Sequence, residues 1–207
     1  MRIVSAQELE DWLASGEVLE RDARGPKVVA LENGLFLKIF HTRRQRWLAR
    51  LRPAASRFAY NAERLRQVGV QAPEITDLLW LDRQAGLSAC IYRPLPGESI
   101  EKLYRQAPQK AQQLIPSLAN FVYRLHRRGV YFRSLHLGNI LLLPDGEHGL
   151  IDVLDLQFKR HPLSSWRVQR NFAHLKHYLR RRKLTEFPLD SLIAHYQGCA
   201  AHEIRRS

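Results

Sequence analysis

Apolar positions in the first half of the chain come in short runs separated by turn residues. Ser5-Ala6-Gln7-Glu8 has the form of a capping box. Leu9, Trp12 and Leu13 follow it at helical spacing, which predicts a short N-terminal helix. Val28 to Leu31, then Asn33-Gly34, then Leu35 to Phe40 predicts a β-hairpin with a tight turn. Pro53 closes a segment dense in arginine (Arg43, Arg44, Arg46, Arg50 and Arg52), and Ser56 to Val68 predicts a helix that Gly69 ends. Thr76 to Leu81 and Leu87 to Tyr92 read as two further strands turning at Asp82 to Gly86.

The pattern changes after Pro94-Leu95-Pro96-Gly97-Glu98, a stretch whose prolines and glycine exclude regular structure. Ile100 to Arg105 predicts a short helix. Gln109 to Arg128 predicts a long one, with Leu114, Leu118, Phe121, Val122 and Leu125 on one face and Gly129 as its stop. Ile140 to Leu143 and Leu150 to Val153 are short apolar strands around Pro144-Asp145-Gly146, and Ser165 to Arg182 and Leu189 to Gln197 predict two more helices. The expected fold class is therefore α+β: a small β-rich lobe over residues 1–93 with one helix, and a mostly helical lobe over 94–207. A cleft between two lobes is the default place for a site.

Composition narrows the partners. The 207 residues include 33 Lys+Arg against 20 Asp+Glu, a formal charge of +13, which favours phosphates, nucleotides, nucleic acid or an acidic membrane face. Cys90 and Cys199 fit neither a metal site nor a disulfide framework, so a reduced cytoplasmic compartment is expected. The start of the chain has no apolar signal-peptide core, and no apolar run approaches the ~20 residues that span a bilayer. Any membrane contact is expected to be peripheral.

Candidate chemistry lies where charges interrupt apolar runs. Lys38 is the one charge in Leu35 to Phe40, and it reads either as a phosphate-neutralising ammonium or as an edge-strand lysine facing water. Glu63 lies mid-helix and reads as a partner for Lys38 or as a surface residue pairing with Gln67 or Arg66. In Leu135-His136-Leu137-Gly138-Asn139-Ile140, a small polar loop runs into a strand. Asn139 is a candidate metal ligand or an Asx-turn residue, and His136 a candidate for orienting the loop or touching phosphate. Asp152 interrupts an apolar run in Leu150-Ile151-Asp152-Val153. A cation is its natural partner, and a capping role is the alternative for it and for Asp155.

In this order, across a lobe boundary, residues 35–40, 60–69, 92–98 and 129–158 resemble the protein-kinase-like superfamily. They are most similar to the lipopolysaccharide core (heptose or Kdo) kinase family, whose loop reads His-x-Asp-Leu-His-x-x-Asn-Ile-Leu. The arginine- and asparagine-bearing stretch from Trp166 to Lys176 adds to the likeness. The resemblance implies a bilobal kinase-like fold that uses ATP and Mg²⁺ on an anionic glycolipid or sugar acceptor, in the cytoplasm or at the inner-membrane surface. It implies that Lys38 contacts the α- and β-phosphates, that Glu63 pairs with Lys38 and that Asn139 and Asp152 hold Mg²⁺. The hinge beside adenine would be Ile91-Tyr92-Arg93.

Two departures stand out. Ser134 occupies the position of the family's catalytic aspartate, and Phe132 stands where its first histidine belongs. A serine hydroxyl is too weak a base at neutral pH to replace a carboxylate. Arg21 to Lys27, at the position of the phosphate-covering loop, has one glycine, so Arg24 and Lys27 become candidates for supplying phosphate charge. Three functions follow: an active or residual core kinase, a pseudokinase acting as regulator or scaffold in envelope biogenesis, and a nucleic-acid binder suggested by charge alone. The last is disfavoured, because no recognition motif appears and Trp47, Phe58 and Tyr60 fall at spacings a core would use.

Overall fold

A computed structural model of the chain describes residues 1–41 and 46–204, so Arg43 and Arg44 lie outside the described residues. The chain divides into two compact units, Met1–Leu95 and Pro96–Ser207.

The first unit holds β1 (Arg2–Ile3), α1 (Ala6–Ser15), β2 (Glu17–Asp22), β3 (Gly25–Ala30), β4 (Phe36–Phe40), α2 (Arg46–Leu51), α3 (Ala54–Gln67), β5 (Glu74–Asp82) and β6 (Leu87–Arg93). Its six strands form one sheet in the order β1-β5-β6-β4-β3-β2, with β1 parallel to β5 and the other pairs antiparallel. The N-cap half of the expected capping box forms: Ser5 Oγ accepts from the Glu8 amide at 3.1 Å, while the Glu8 carboxylate accepts from Arg2 at 2.8 Å. The expected hairpin forms with Val28 opposite Lys38, while Glu17–Asp22 is a further strand that the sequence reading did not anticipate.

Strand alternation splits this sheet's side chains between two faces. Val29, Leu37, Ile39, Leu79, Ala89 and Ile91 form one core, with Leu9, Trp12 and Leu13 of α1 packed on it. Phe36, Lys38, Phe40 and Tyr92 belong to the opposite face, where Phe58 of α3 reaches Phe40 and Tyr92 at ring-centroid distances of 5.5 and 6.1 Å.

The second unit holds β7 (Glu98–Ser99), α4 (Ile100–Gln106), α5 (Pro108–Gln113), α6 (Ile115–Arg127), β8 (Val130–Phe132), β9 (Ile140–Leu142), β10 (His148–Leu150), β11 (Leu156–Phe158), α7 (Ser165–Arg181) and α8 (Leu189–Ile204). Strands β10-β9-β7 make one small sheet and β11-β8 another. The helix expected over 109–128 is two helices broken at Leu114. Pro116 lies in the first turn of the second, because proline has no amide to donate and its ring clashes with the carbonyl four residues back. The strand expected over 150–153 stops at Leu150, and Val153–Asp155 is a turn of 3₁₀ helix. Two glycines are fixed by the backbone: at Gly97 (φ 131°) an added Cβ would lie 2.3 Å from the Leu142 carbonyl oxygen, and at Gly129 (φ 71°) 2.4 Å from that of Lys159.

No helix among the described residues is long and apolar enough to cross a membrane. The architecture is mixed α+β, with the sheet-rich part first and the helical part second, the class expected from the sequence.

Candidate active site

In the first unit, Lys38 projects from β4 onto the α3 face. Its Nζ lies 5.5 Å from the centroid of the Phe58 ring, a cation–π distance. Its neighbour across the strands is Cys90, whose thiol burial pushes up to about 12, against the pull of the Lys38 charge. Tyr92 belongs to the same face, and its buried ring packs edge-on to Phe36 and against Phe58. The Tyr92 side chain is thus a packing element of this unit.

Glu63 is a correction. The resemblance paired it with Lys38, but its side chain is 58% exposed, accepts from Gln67 Nε2 at 3.2 Å and lies 3.8 Å from Arg66. The polar residue that α3 buries is Asn61, in line with Phe58, Ala62 and Leu65. An asparagine at i+3 from a core phenylalanine was the available signal. Of the charges proposed for a phosphate-covering loop, that of Lys27 is paired locally with Glu20, while the backbone amide of Arg24 donates to Asp22 Oδ1 at 2.8 Å and shapes the turn.

The second unit gathers Ser134, His136, Asn139, Asp152 and Asp155. Asn139 is 6% exposed, and its Nδ2 donates to the Ser134 carbonyl at 3.2 Å, which leaves Oδ1 as the end suited to a cation. The Ile151 amide donates to the Asn139 carbonyl at 3.0 Å, extending the β9–β10 ladder, so both ends of the hairpin are held together and Asp152 follows at once. Asp152 is exposed and left-handed (φ 53°, ψ 49°), a conformation that aspartate tolerates better than most residues and that concentrates at functional sites. Ser134 Oγ donates to Asp155 Oδ2 at 2.6 Å, and Asp155 Oδ1 is buried with no partner.

His136 is held by packing. Its ring stacks on Tyr178 with centroids 4.1 Å apart and planes 6° apart, and its buried Nδ1 has no hydrogen-bond partner. Burial lowers its pKa, against the opposing charges of Asp152 and Glu101. The stacking on Tyr178 fixes the orientation of this ring.

Sequence reasoning missed the carboxylate beneath that loop. Glu101 of α4 is buried and accepts from Tyr178 Oη, from Arg105 at 2.8 and 3.0 Å and from Arg182 at 2.9 Å. Burial alone would raise its pKa, but the bonds from Tyr178, Arg182 and Arg105 prevail and hold it below the usual range. Arg182, half exposed, therefore pairs with a buried carboxylate, which sets it apart from the other charges of the basic run 180–183. Asn171 is a further structural tie: its Nδ2 donates to the Phe132 carbonyl at 2.7 Å, anchoring β8 just ahead of Ser134.

A cavity of about 820 Å³ opens elsewhere in this unit, among α6, α7 and α8, and neither Ser134, Asn139 nor Asp152 lines it. Among the described residues no group of three or more His, Cys, Asp or Glu is placed to hold a metal. Of Trp47, Phe58 and Tyr60, only Phe58 is buried.

A model of the family described as lipopolysaccharide kinase (Kdo/WaaP) matches residues 34–196. A comparison with curated proteins returns no match. Among solved structures, that of the bifunctional kinase-methyltransferase WbdD aligns with a TM-score of 0.48 at 14% identity, covering 84% of this chain and 42% of that one. The chain thus spans less than half the length of that protein.

Proposed function

Because the chain belongs to the lipopolysaccharide kinase (Kdo/WaaP) family, we propose that it binds Mg-ATP and phosphorylates a sugar of the lipopolysaccharide inner core, as a slow kinase. The observation that carries this reading is the β9–β10 hairpin, whose closure by the Ile151–Asn139 bond sets Asn139 and Asp152 at its two ends. Magnesium takes most of its oxygen ligands from phosphates and water and needs only one or two from protein. An amide oxygen and an exposed carboxylate fit that demand. Bound there, the ion would neutralise charge on the phosphates. Lys38 supplies a further positive charge for phosphate, and the backbone around Tyr92 serves the adenine.

The exposed Arg180, Arg181 and Lys183 give the second unit a basic edge suited to an anionic glycolipid or the inner-membrane surface. Each such charge near an anionic surface contributes about 1 kcal/mol.

The test is a thermal-shift titration with ATP, with and without Mg²⁺, on wild type, Lys38→Ala and Asp152→Asn. At 100-fold excess over Kd, binding stabilises by about 2.7 kcal/mol. A Mg²⁺-dependent shift lost in both variants is expected, followed by phosphate transfer to core oligosaccharide. The absence of any shift in wild type would sink the reading.

A second reading, a pseudokinase that regulates or scaffolds envelope biogenesis, is favoured by Ser134 standing where a catalytic aspartate is needed. It predicts the same shift with no transfer to sugar or water.

A further inference from the structure

We propose that Asp155 is the proton acceptor of this site and that Ser134 passes it the proton, so that the two side chains together replace the missing catalytic aspartate. The inference rests on the kinase reading above and adds a catalytic pair to it.

Three features of the pair carry the argument. First, the 2.6 Å separation between Ser134 Oγ and Asp155 Oδ2 is that of a short, charge-assisted O–H···O⁻ bond. With its proton directed at Asp155, Ser134 Oγ presents its lone pairs to an incoming hydroxyl. Second, Asp155 keeps one carboxylate oxygen on Ser134 and the other unpartnered. Among the described residues the bond from Ser134 is its one side-chain hydrogen bond, and its Oδ1 is buried. A carboxylate kept for architecture collects N–H donors, which would also weaken it as a base. Third, the serine is held in place through its carbonyl by Asn139 Nδ2 at 3.2 Å, while β8 behind it is fixed by the bond from Asn171 to Phe132.

The step balances without a further reagent. The acceptor's O–H bond breaks as its proton joins Ser134 Oγ, and the proton already on Ser134 Oγ moves to Asp155 Oδ2. The acceptor oxygen bonds the γ-phosphorus and the bond to ADP breaks. Asp155 then returns its proton to water. The hydroxyl is a conductor of the proton, so its own weakness as a base does not decide the rate.

The experiment compares wild type with Asp155→Asn, Ser134→Ala, the double variant S134A/D155N and the exchanged pair S134D/D155N. Each is assayed for its Mg-ATP thermal shift, for ATP hydrolysis with water as acceptor and for transfer to deacylated core oligosaccharide. In D155N the side-chain amide oxygen can still accept from Ser134, so this variant is expected to fold, and S134A tests the pair independently of it. Both single variants should keep the shift and lose about 10²–10³-fold in rate, within the range of general-base catalysis. The double variant should be no slower than either single one, because parts of one unit are non-additive. S134D/D155N should recover the wild-type rate by presenting the carboxylate directly. D155N at wild-type rate, or multiplying losses in the double variant, overturns the pair. So does a wild type that binds Mg-ATP and transfers to neither acceptor, which leaves nucleotide binding standing. A wild type without the shift removes the kinase reading itself.

Discussion

His126 should make the fold acid-sensitive in a window that one residue can be shown to control. Its ring is 3% exposed: Nδ1 accepts from Tyr196 Oη at 3.0 Å and Nε2 donates to Asn171 Oδ1 at 3.1 Å. A neutral imidazole satisfies both bonds, and a protonated one has no lone pair for Tyr196. Burial pulls the pKa down to about 4, only partly offset by the Asn171 bond, while an unfolded histidine titrates near ~6.5. Between these values the unfolded chain binds one more proton than the folded one, so stability rises with pH and is lost as pH falls from about 6.5 to 4. At about 1.36 kcal/mol per pKa unit the ceiling on that loss is about 3 kcal/mol. His136, His148 and His174, lowered by burial, and Glu101, held below its usual range by its bonds, add loss of the same sign. The diagnostic is therefore a difference. Urea unfolding from pH 7.5 to 4.5 on wild type and His126→Leu should give a variant less stable at pH 7.5 by about 2 kcal/mol, from two orphaned partners. Near pH 5.5 its stability should depend on pH less steeply, by about 1 kcal/mol per pH unit. Equal slopes would refute the argument.

Asp152→Asn should abolish the Mg²⁺-dependent ATP shift while leaving the melting temperature of the free protein within a few degrees, because asparagine tolerates the left-handed backbone. Glu63→Ala should change stability by less than about 0.5 kcal/mol and leave ATP affinity intact, whereas Asn61→Ala, at a buried polar position, should cost about 1–2 kcal/mol by chemical denaturation. Gly97→Ala drives a Cβ against the Leu142 carbonyl at a positive φ, so loss of cooperative unfolding or a deficit of about 3 kcal/mol or more is expected. Glu101→Gln keeps an acceptor for Tyr178 but not the charge shared by Arg105 and Arg182. Both arginines are about half exposed, so the deficit should be about 2 kcal/mol, less than that for a fully buried pair.

What the sequence could tell was local. The N-cap at Ser5 and the Asn33-Gly34 hairpin each depend on neighbours within four residues, and each stands where expected. The family was legible in the loop around His136 and Asn139 together with the stretches 35–40, 60–69, 92–98 and 129–158 and the helix from Trp166 to Lys176, and the family model matches residues 34–196. Glu63 failed because charge was given more weight than helical phase. A residue two positions beyond Asn61 lies about 200° around the helix, so burial of Phe58, Asn61, Ala62 and Leu65 excludes it from the core face. Glu101 escaped notice because Tyr178 and Arg182, 77 and 81 residues away, decide its role. Read alone it is an acidic residue in the first turn of a helix. The Ser134–Asp155 bond spans 21 residues and a turn of 3₁₀ helix that no periodicity announces.

The replacement of an aspartate by Ser134 has to be set against what the rest of the loop retains. General-base help is worth about 10²–10⁴-fold, or roughly 3–5 kcal/mol of barrier. Positioning and electrostatic stabilisation of the phosphoryl group supply most of the remainder in a loose transition state. Three contacts hold the loop of the second unit in place. His136 is stacked on Tyr178, Tyr178 is bonded to Glu101, and Asn139 is bonded to the carbonyl of Ser134. Gly138 leaves no spare room beside them, since an added Cβ would lie 3.0 Å from Tyr178 Oη and 3.4 Å from His136 Nδ1. Gly138→Ala should therefore slow any transfer without touching a phosphate-binding residue, as a misplaced loop does. If the loop serves nucleotide binding alone, the same substitution should leave transfer unchanged relative to affinity. That contrast separates a slow kinase from a binder by a route that does not depend on identifying the proton acceptor.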